Sequence, residues 1–297
     1  MADLKKTIAV ILLGLFILGI GFYTIWKNIH VEKGNDTLLK DNIAEKRYEN
    51  LEEAIKEGEK INILMLGVED EPRSDTIILI CLDPEKKRTD LVFIPRDTYY
   101  HEEGWDRGDQ RKLNAVYGRG GAVKSIEAVK NILRPVPIHH YMVLRYSGVE
   151  EIVRILGGVE VNVPKGVVNL KPGKQVLNGE QSVQFLRFRA GYSEGDLGRI
   201  KAQQEFIRSA IHRVSISQFP RFAKEVFPLV KTDIGKKEMI HYSFITSKID
   251  KKNIFIHRLP GIAKYESIDA KQWSYFYNDP KKTRKFFEEL YEVKKNN

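Results

Sequence analysis

Residues Ile61 to Ile94 read INILMLGVEDEPRSDTIILICLDPEKKRTDLVFI, and this stretch decides the fold. It holds three apolar runs of strand length, Ile61–Val68, Thr76–Leu82 and Thr89–Ile94. The turn Asp83-Pro84-Glu85-Lys86-Lys87 between the second and third is short and rich in turn formers, so these runs pair as antiparallel neighbours. The connection between the first two runs is similarly short. A meander of this kind sets the end of the first strand, the start of the second and the end of the third on one edge.

Working outward toward the C-terminus, Ala122–Leu133 carries Val123, Ile126, Val129, Ile132 and Leu133 on one helical face, with Pro135 beyond its end. Tyr141–Arg145 and Val159–Val163 alternate like strands. Between them, Ser147–Leu156 reads as a helix opened by a Ser147/Glu150 capping box and stopped by Gly157-Gly158. Asn178 and Gln181 form a second capping box, while Pro172-Gly173-Lys174-Gln175 reads as a tight turn. Helices are expected over Asp196–Val214, Lys236–Lys248 and Lys281–Val293, with a strand over Asn253–His257. The expectation is an α/β fold: one three-layer α-β-α domain over residues 61–297 with a mixed central sheet.

Toward the N-terminus, Ile8–Trp26 (IAVILLGLFILGIGFYTIW) contains no charged residue. It approaches the ~20 residues that cross a bilayer core of ~30 Å. Phe22, Tyr23 and Trp26 form an interfacial belt at its end. One N-terminal transmembrane helix is therefore expected, an uncleaved signal-anchor over 8–26 that follows a cytoplasmic segment 1–7. The region 27–60 is a polar linker in which Leu39, Ile43, Leu51 and Ile55 recur at roughly helical spacing. This places the protein in the cell membrane, single-pass, with its C-terminal domain on the extracellular side.

The 297 residues include 49 Lys plus Arg against 40 Asp plus Glu, a formal charge of +9. Such a balance suits nucleic acid, an anionic membrane surface or a phosphate-bearing substrate. The outward topology removes nucleic acid from these. A single cysteine, Cys81, excludes a disulfide framework, a Cys-rich zinc site and a CxxC redox motif. His139-His140 and His257 match no metal-ligand spacing and read as core or surface histidines.

The residues that carry chemistry gather at the predicted strand edge. The loop after the first strand is Glu69-Asp70-Glu71-Pro72-Arg73-Ser74-Asp75, and the third strand ends in Pro95-Arg96-Asp97. In Val183–Arg189 (VQFLRFR) an extended backbone sets Arg187 and Arg189 on one face. Two parallel guanidiniums repel unless an anion lies between them. On the following helix, Asp196, Arg199 and Gln203 form a stripe that borders the apolar one. Five arginines, Arg73, Arg96, Arg187, Arg189 and Arg199, have no adjacent block of acids to neutralise them all. A diphosphate would do so, because guanidinium is planar and bidentate toward phosphate oxygens. Asp75 with Glu69 or Asp70 could hold a hard cation, Mg²⁺ or Mn²⁺, through oxygen ligands and bridging phosphate.

In order along the chain, these residues resemble the LytR-CpsA-Psr family. The matching stretches are Leu66-Gly67-Val68-Glu69, Arg73-Ser74-Asp75-Thr76, Ile94-Pro95-Arg96-Asp97 and Lys112-Leu113-Asn114-Ala115 with Tyr117 and Gly120-Gly121. Leu156-Gly157-Gly158-Val159, Arg187-x-Arg189 and Asp196-x-Gly198-Arg199 with Gln203-Gln204 follow. The resemblance implies an Mg²⁺-dependent phosphotransferase that moves a glycopolymer, such as teichoic acid or capsule, from an undecaprenyl-pyrophosphate carrier to peptidoglycan. It implies that Arg73, Arg96, Arg187, Arg189 and Gln203 bind the pyrophosphate. Asp75 and Glu69 would serve the metal, and the polyprenyl tail would lie between sheet and helices. Asp97, Lys112, Asn114 and Asp196 stand in the matching motifs as supporting residues. Asp75 is the leading candidate for aiding hydroxyl deprotonation. Two positions depart from the family pattern: Glu69 stands where Asp is usual, and Ala202 where Arg is frequent. A metal-dependent pyrophosphatase and a non-catalytic sensor of lipid-linked intermediates are the alternative readings.

Overall fold

The computed structural model describes residues 50–293, apart from 69–72, 168, 189–191, 193–195, 214–224 and 248. The expected anchor over 8–26 lies outside these residues, and among the described residues no helix is long and apolar enough to cross a membrane.

The described residues open with helix α1 (Leu51–Glu57) and the meander β1 (Ile61–Val68), β2 (Ser74–Asp83) and β3 (Arg88–Ile94). Helix α2 (Leu113–Ile132), strand β4 (His140–Arg145) and helix α3 (Tyr146–Ile155) follow, then the hairpin β5 (Val159–Val163) and β6 (Gly173–Leu177). Next come α4 (Gly179–Arg187), α5 (Asp196–Arg213), β7 (Val230–Thr232), α6 (Lys236–Ser247) and β8 (Ile254–Arg258). A second hairpin, β9 (Gly261–Ile268) and β10 (Lys271–Asn278), precedes the last described helix, α7 (Pro280–Leu290).

The central sheet has the order β7-β4-β1-β2-β3-β8. It is mixed, as expected: β1–β2, β2–β3 and β4–β7 pair antiparallel, whereas β1–β4 and β3–β8 pair parallel. Alternate side chains serve opposite faces. Ile63, Met65, Ile78, Ile80, Leu91 and Phe93 pack with Val149 and Ile152 of α3, Leu186 of α4, Phe206 and Ile207 of α5 and Met239 of α6. Leu64, Leu66, Ile77, Leu79, Val92 and Ile94 pack with Leu51 of α1, Leu113 and Val116 of α2, and Phe287 and Leu290 of α7. With helices on both faces, a one-residue slip would move each strand's side chains into the wrong layer.

Local chemistry explains where elements differ from the sequence reading. The Ser147/Glu150 capping box does not form; α3 starts one residue earlier, with Arg145 as N-cap and no side-chain cap. The helix expected from Ala122 is the second half of α2, which begins at Leu113 and breaks at Gly120-Gly121, where Gly121 has φ +63°. Gly173 does not sit in a tight turn but opens β6 opposite Val163, with φ +107°. Leu51 and Ala54 are fully buried, so α1 is packed into the domain. The β9–β10 hairpin was not anticipated.

Candidate active site

The site is built on an irregularity between β1 and β2. Gly67 pairs with Thr76 but Val68 pairs with Ser74, so Asp75 is the extra residue of a bulge. Bulges bend a strand and re-aim a side chain. Here the Asp75 carboxylate, 2 % exposed, accepts a hydrogen bond from Arg96 Nη1 at 2.8 Å.

Arg96 is held from behind by the start of α2. Asn114 N donates to Arg96 O at 3.0 Å, and Leu113 N donates to Thr98 O at 2.8 Å. Thr98 Oγ1 donates to Pro95 O at 2.5 Å and closes the turn. Beside it, Lys112 Nζ donates to Asp97 Oδ1 at 3.0 Å, and Arg96 Nε lies 3.9 Å from the same oxygen. Asp75, Arg96, Asp97 and Lys112 therefore form one line of alternating charges. Two of the expected unneutralised arginines are in fact paired, which fixes their geometry. Arg96 meets Asp75, and Arg73 Nη2 donates to Asp109 Oδ2 at 2.8 Å. The hydrogen bond from Arg107 holds the Asp109 carboxyl below its ordinary range against the opposing effect of burial, and Arg73 adds a lesser contribution.

Helix α5 contributes the deepest cation. Arg199 is 1 % exposed and Gln203, one turn further on, is 3 % exposed. Gln203 Nε2 and Tyr192 Oη are both buried, and neither has a hydrogen-bond partner among the described residues. Burial pushes the Tyr192 phenol up to about 12, with Glu205 adding to the shift and Arg199 opposing it. A buried guanidinium with an amide one turn further along the helix is a donor set suited to an anion. Gln204 Nε2 reaches His257 O at 3.5 Å, which brings this part of α5 to the end of β8.

The expected extension of Val183–Arg189 is overturned. Asn178 Oδ1 accepts from Gln181 N at 2.9 Å, Gln181 Oε1 accepts from Asn178 N at 3.1 Å, and this capping box starts a helix that runs through Arg187. The backbone becomes extended only at Phe188. Glu69 and Arg189 lie outside the described residues, as do the side chains of Arg187 and Asp196.

Two residues were missed. Arg145 closes β4 beside Val68, and Arg258 closes β8 beside Phe93. They end parallel strands at the edge that carries Arg96, where open α/β sheets bind ligands. The phenol of Tyr117, raised by burial, lies within the field of Arg145, which opposes that rise. The signal was present in HYMVLR and IFIHR, apolar strands closed by a guanidinium. Among the described residues, no group of three His, Cys, Asp or Glu side chains is placed to hold a metal ion.

Residues 26–292 match the LytR_cpsA_psr family. The chain belongs to this family. Curated LytR-CpsA-Psr relatives include the polyisoprenyl-teichoic acid–peptidoglycan teichoic acid transferase TagV of Bacillus subtilis, 30% identical over 81% of this chain and 67% of its own length. The transferase TagU of Enterococcus faecalis is 31% identical over 79% of this chain and 81% of its own. The crystal structure of B. subtilis TagV superposes with a TM-score of 0.64 at 28% identity, covering 80% of this chain and all of that one.

Proposed function

We propose that this protein transfers a glycopolymer from an undecaprenyl-pyrophosphate carrier to peptidoglycan, forming a phosphodiester. The observation that carries this reading is the bulge that turns buried Asp75 onto Arg96 at the ligand-binding edge of the sheet, in a chain related to teichoic acid transferases.

Arg96, Arg199 and Gln203, with Arg73, Arg187 and Arg189, bind the pyrophosphate through charge-assisted hydrogen bonds worth ~1.5–3 kcal/mol each. A peptidoglycan hydroxyl attacks the phosphorus next to the sugar. The bond from that phosphorus to the bridging oxygen breaks, and undecaprenyl phosphate departs with the electron pair. Fixed guanidiniums stabilise the charge that develops on the departing phosphate, without reorganisation at the moment of reaction. The hydroxyl proton passes to a base, for which Asp75 is the leading candidate.

The donor chemistry at Asp75 fits Mg²⁺, a hard cation that is usually held by one or two carboxylates, substrate phosphates and water. Asp75 and Glu69 would hold it, and the ion would add to the neutralisation of the phosphate oxygens. The reading includes a membrane anchor over 8–26 that keeps the domain outside the cell, at the surface where the lipid carrier resides.

The test incubates the full chain in detergent with a polyprenyl-pyrophosphate glycan, Mg²⁺ and peptidoglycan oligomers, followed by mass spectrometry. The expected product is a phosphodiester-linked glycan on the oligomer, lost in Arg96→Ala and Arg187→Ala. Sugar phosphate released without acceptor would make the protein a pyrophosphatase instead.

A further inference from the structure

The β9–β10 hairpin pairs with neither the central sheet nor β5–β6. It is fastened directly beside the candidate site: Phe276 N donates to Asp97 O and Tyr99 N donates to Phe276 O, both at 2.9 Å. Asp97 is the carboxylate that carries Lys112. The base of the hairpin is therefore tied by its backbone to the residue that ends this line of charges.

The two faces of the hairpin differ in chemistry. Directly opposed residues of an antiparallel pair share a face. Tyr277 with Ile262, Tyr275 with Lys264, Trp273 with Glu266, and Lys271 with Ile268 make one face. On that face the β10 aromatics pack on the domain, whereas Ile262 of β9 is 57 % exposed: Tyr275 Oη donates to Gly108 O at 2.8 Å, and Tyr99 stacks on Tyr277 with ring centroids 5.1 Å apart. The other face consists of Phe276 with Ala263, Ser274 with Tyr265 and Gln272 with Ser267. Phe276 is buried at its base, and beyond it the face is open, with Tyr265 74 % exposed. Gln272 Nε2 donates to Ser267 Oγ at 2.6 Å. This open face carries one exposed ring, hydroxyls and an amide, and no charged side chain.

We infer that the open face of this hairpin, Tyr265 with Ser267, Gln272 and Ser274, is the binding surface for the glycan backbone of the peptidoglycan acceptor. The inference rests on the transferase reading. An exposed phenol takes the C–H face of a pyranose, while hydroxyl and amide groups take its hydroxyls and N-acetyl groups. The lack of charge selects the occupant. An anionic bilayer calls for cations facing it, and Lys264 and Lys271 stand on the opposite face. A teichoic acid carries a phosphate in each repeat and makes the same demand. A protein partner calls for a contiguous apolar patch, which a single ring does not provide. With each lactyl carboxyl amidated by its stem peptide, the backbone of alternating N-acetyl sugars is neutral, and it is rich in hydrogen-bonding groups. Ser274 stands two residues from Phe276, on the order of 7 Å along the strand from the contact with Asp97. A short saccharide spans that distance.

The test measures calorimetric binding of glycan strands, freed of their stem peptides and with the lactyl carboxyls so exposed capped as methylamides, to the full chain in detergent. Tyr265→Ala should weaken binding about tenfold, the loss of one exposed anchor ring. Tyr265→Phe should bind as wild type does. Donor-lipid affinity and thermal midpoint should be the same in all three, and the acceptor KM should rise in Tyr265→Ala with kcat held. Equal binding by Tyr265→Ala and wild type overturns the surface, as does wild type that binds no strand. Loss of binding to phosphatidylglycerol vesicles, with strand binding intact, overturns it in favour of a membrane contact. A wild type that binds both strand and donor but never joins them leaves the surface standing and sinks the transferase reading.

Discussion

Arg96 Nη1 donates to Asp75 Oδ1 at 2.8 Å, with the carboxylate 2 % and the guanidinium 11 % exposed. Removing Asp75 takes the 2.8 Å partner from a guanidinium that is largely buried and leaves it with weaker compensation such as Asp97 at 3.9 Å, toward the low end of the roughly 3–5 kcal/mol that breaking a buried pair costs. Asp75→Ala should therefore lower unfolding stability by about 3 kcal/mol and abolish transfer. The double variant Asp75→Leu/Arg96→Met should regain much of the stability and none of the activity. Urea denaturation separates the two effects; a double variant no more stable than Asp75→Ala would show that the pair is not the source of the loss.

A second buried carboxylate makes stability depend on pH. Asp90, 2 % exposed, accepts from Arg88 Nε and Nη2 at 2.7 Å each and lies 2.7 Å from His257 Nε2. Burial alone would raise its pKa, but the hydrogen bonds from His257 and Arg88 outweigh it and hold the carboxyl below its ordinary range. A depressed folded pKa adds stability above the unfolded value of ~3.9 and loses it as pH falls through the folded value. The urea midpoint of wild type should thus drop below about pH 4 more steeply than that of Asp90→Asn. Asp90→Asn should already be weaker at pH 7. Parallel acid profiles would remove Asp90 from the account.

Gly261 has no room for a side chain: a Cβ there would lie 2.2 Å from Tyr277 O, a backbone atom that cannot turn aside. Gly261→Ala should cost about 1–3 kcal/mol by overpacking. It should also detach the hairpin, so glycan-strand binding falls with it. A thermal midpoint equal to wild type would contradict the close approach.

Cys81 is 1 % exposed, and burial, helped by the nearby Asp90 charge and opposed by Lys60, pushes its thiol far above the usual range. The thiolate is the reactive form. The native protein should be inert to Ellman's reagent at pH 8 and should release one equivalent of thionitrobenzoate on unfolding in urea. Rapid native labelling would show that the strand opens.

The meander was legible because its apolar runs and short turn leave few alternatives, and the edge carrying Arg96 followed from it. The bulge at Asp75 was not, since one extra residue in a strand leaves no mark on an apolar run interrupted by polar residues. Arg187 was misassigned for a different reason. Leu186 and Phe188 alternate with arginines, which fits a strand over so short a window, but the Asn178/Gln181 box had already committed the chain to a helix. The β9–β10 hairpin escaped notice because its exposed strand mixes aromatic, charged and small residues with no apolar run. Arg145 and Arg258 became functional candidates only once strand pairing set them beside Val68 and Phe93.

Helix α1 is locked to the end of the domain. Leu51 and Ala54 share an apolar cluster with Phe287, Leu290 and Tyr291, and Glu52 receives Arg284 Nη1 and Nη2 at 3.0 and 2.9 Å. In the proposed tethered arrangement, tension arriving through the N-terminal segment is delivered to this joint, not to a slack string. The clasp resists in shear across packed side chains, so α1 and α7 share that load. Cutting away α7 should therefore loosen α1 first.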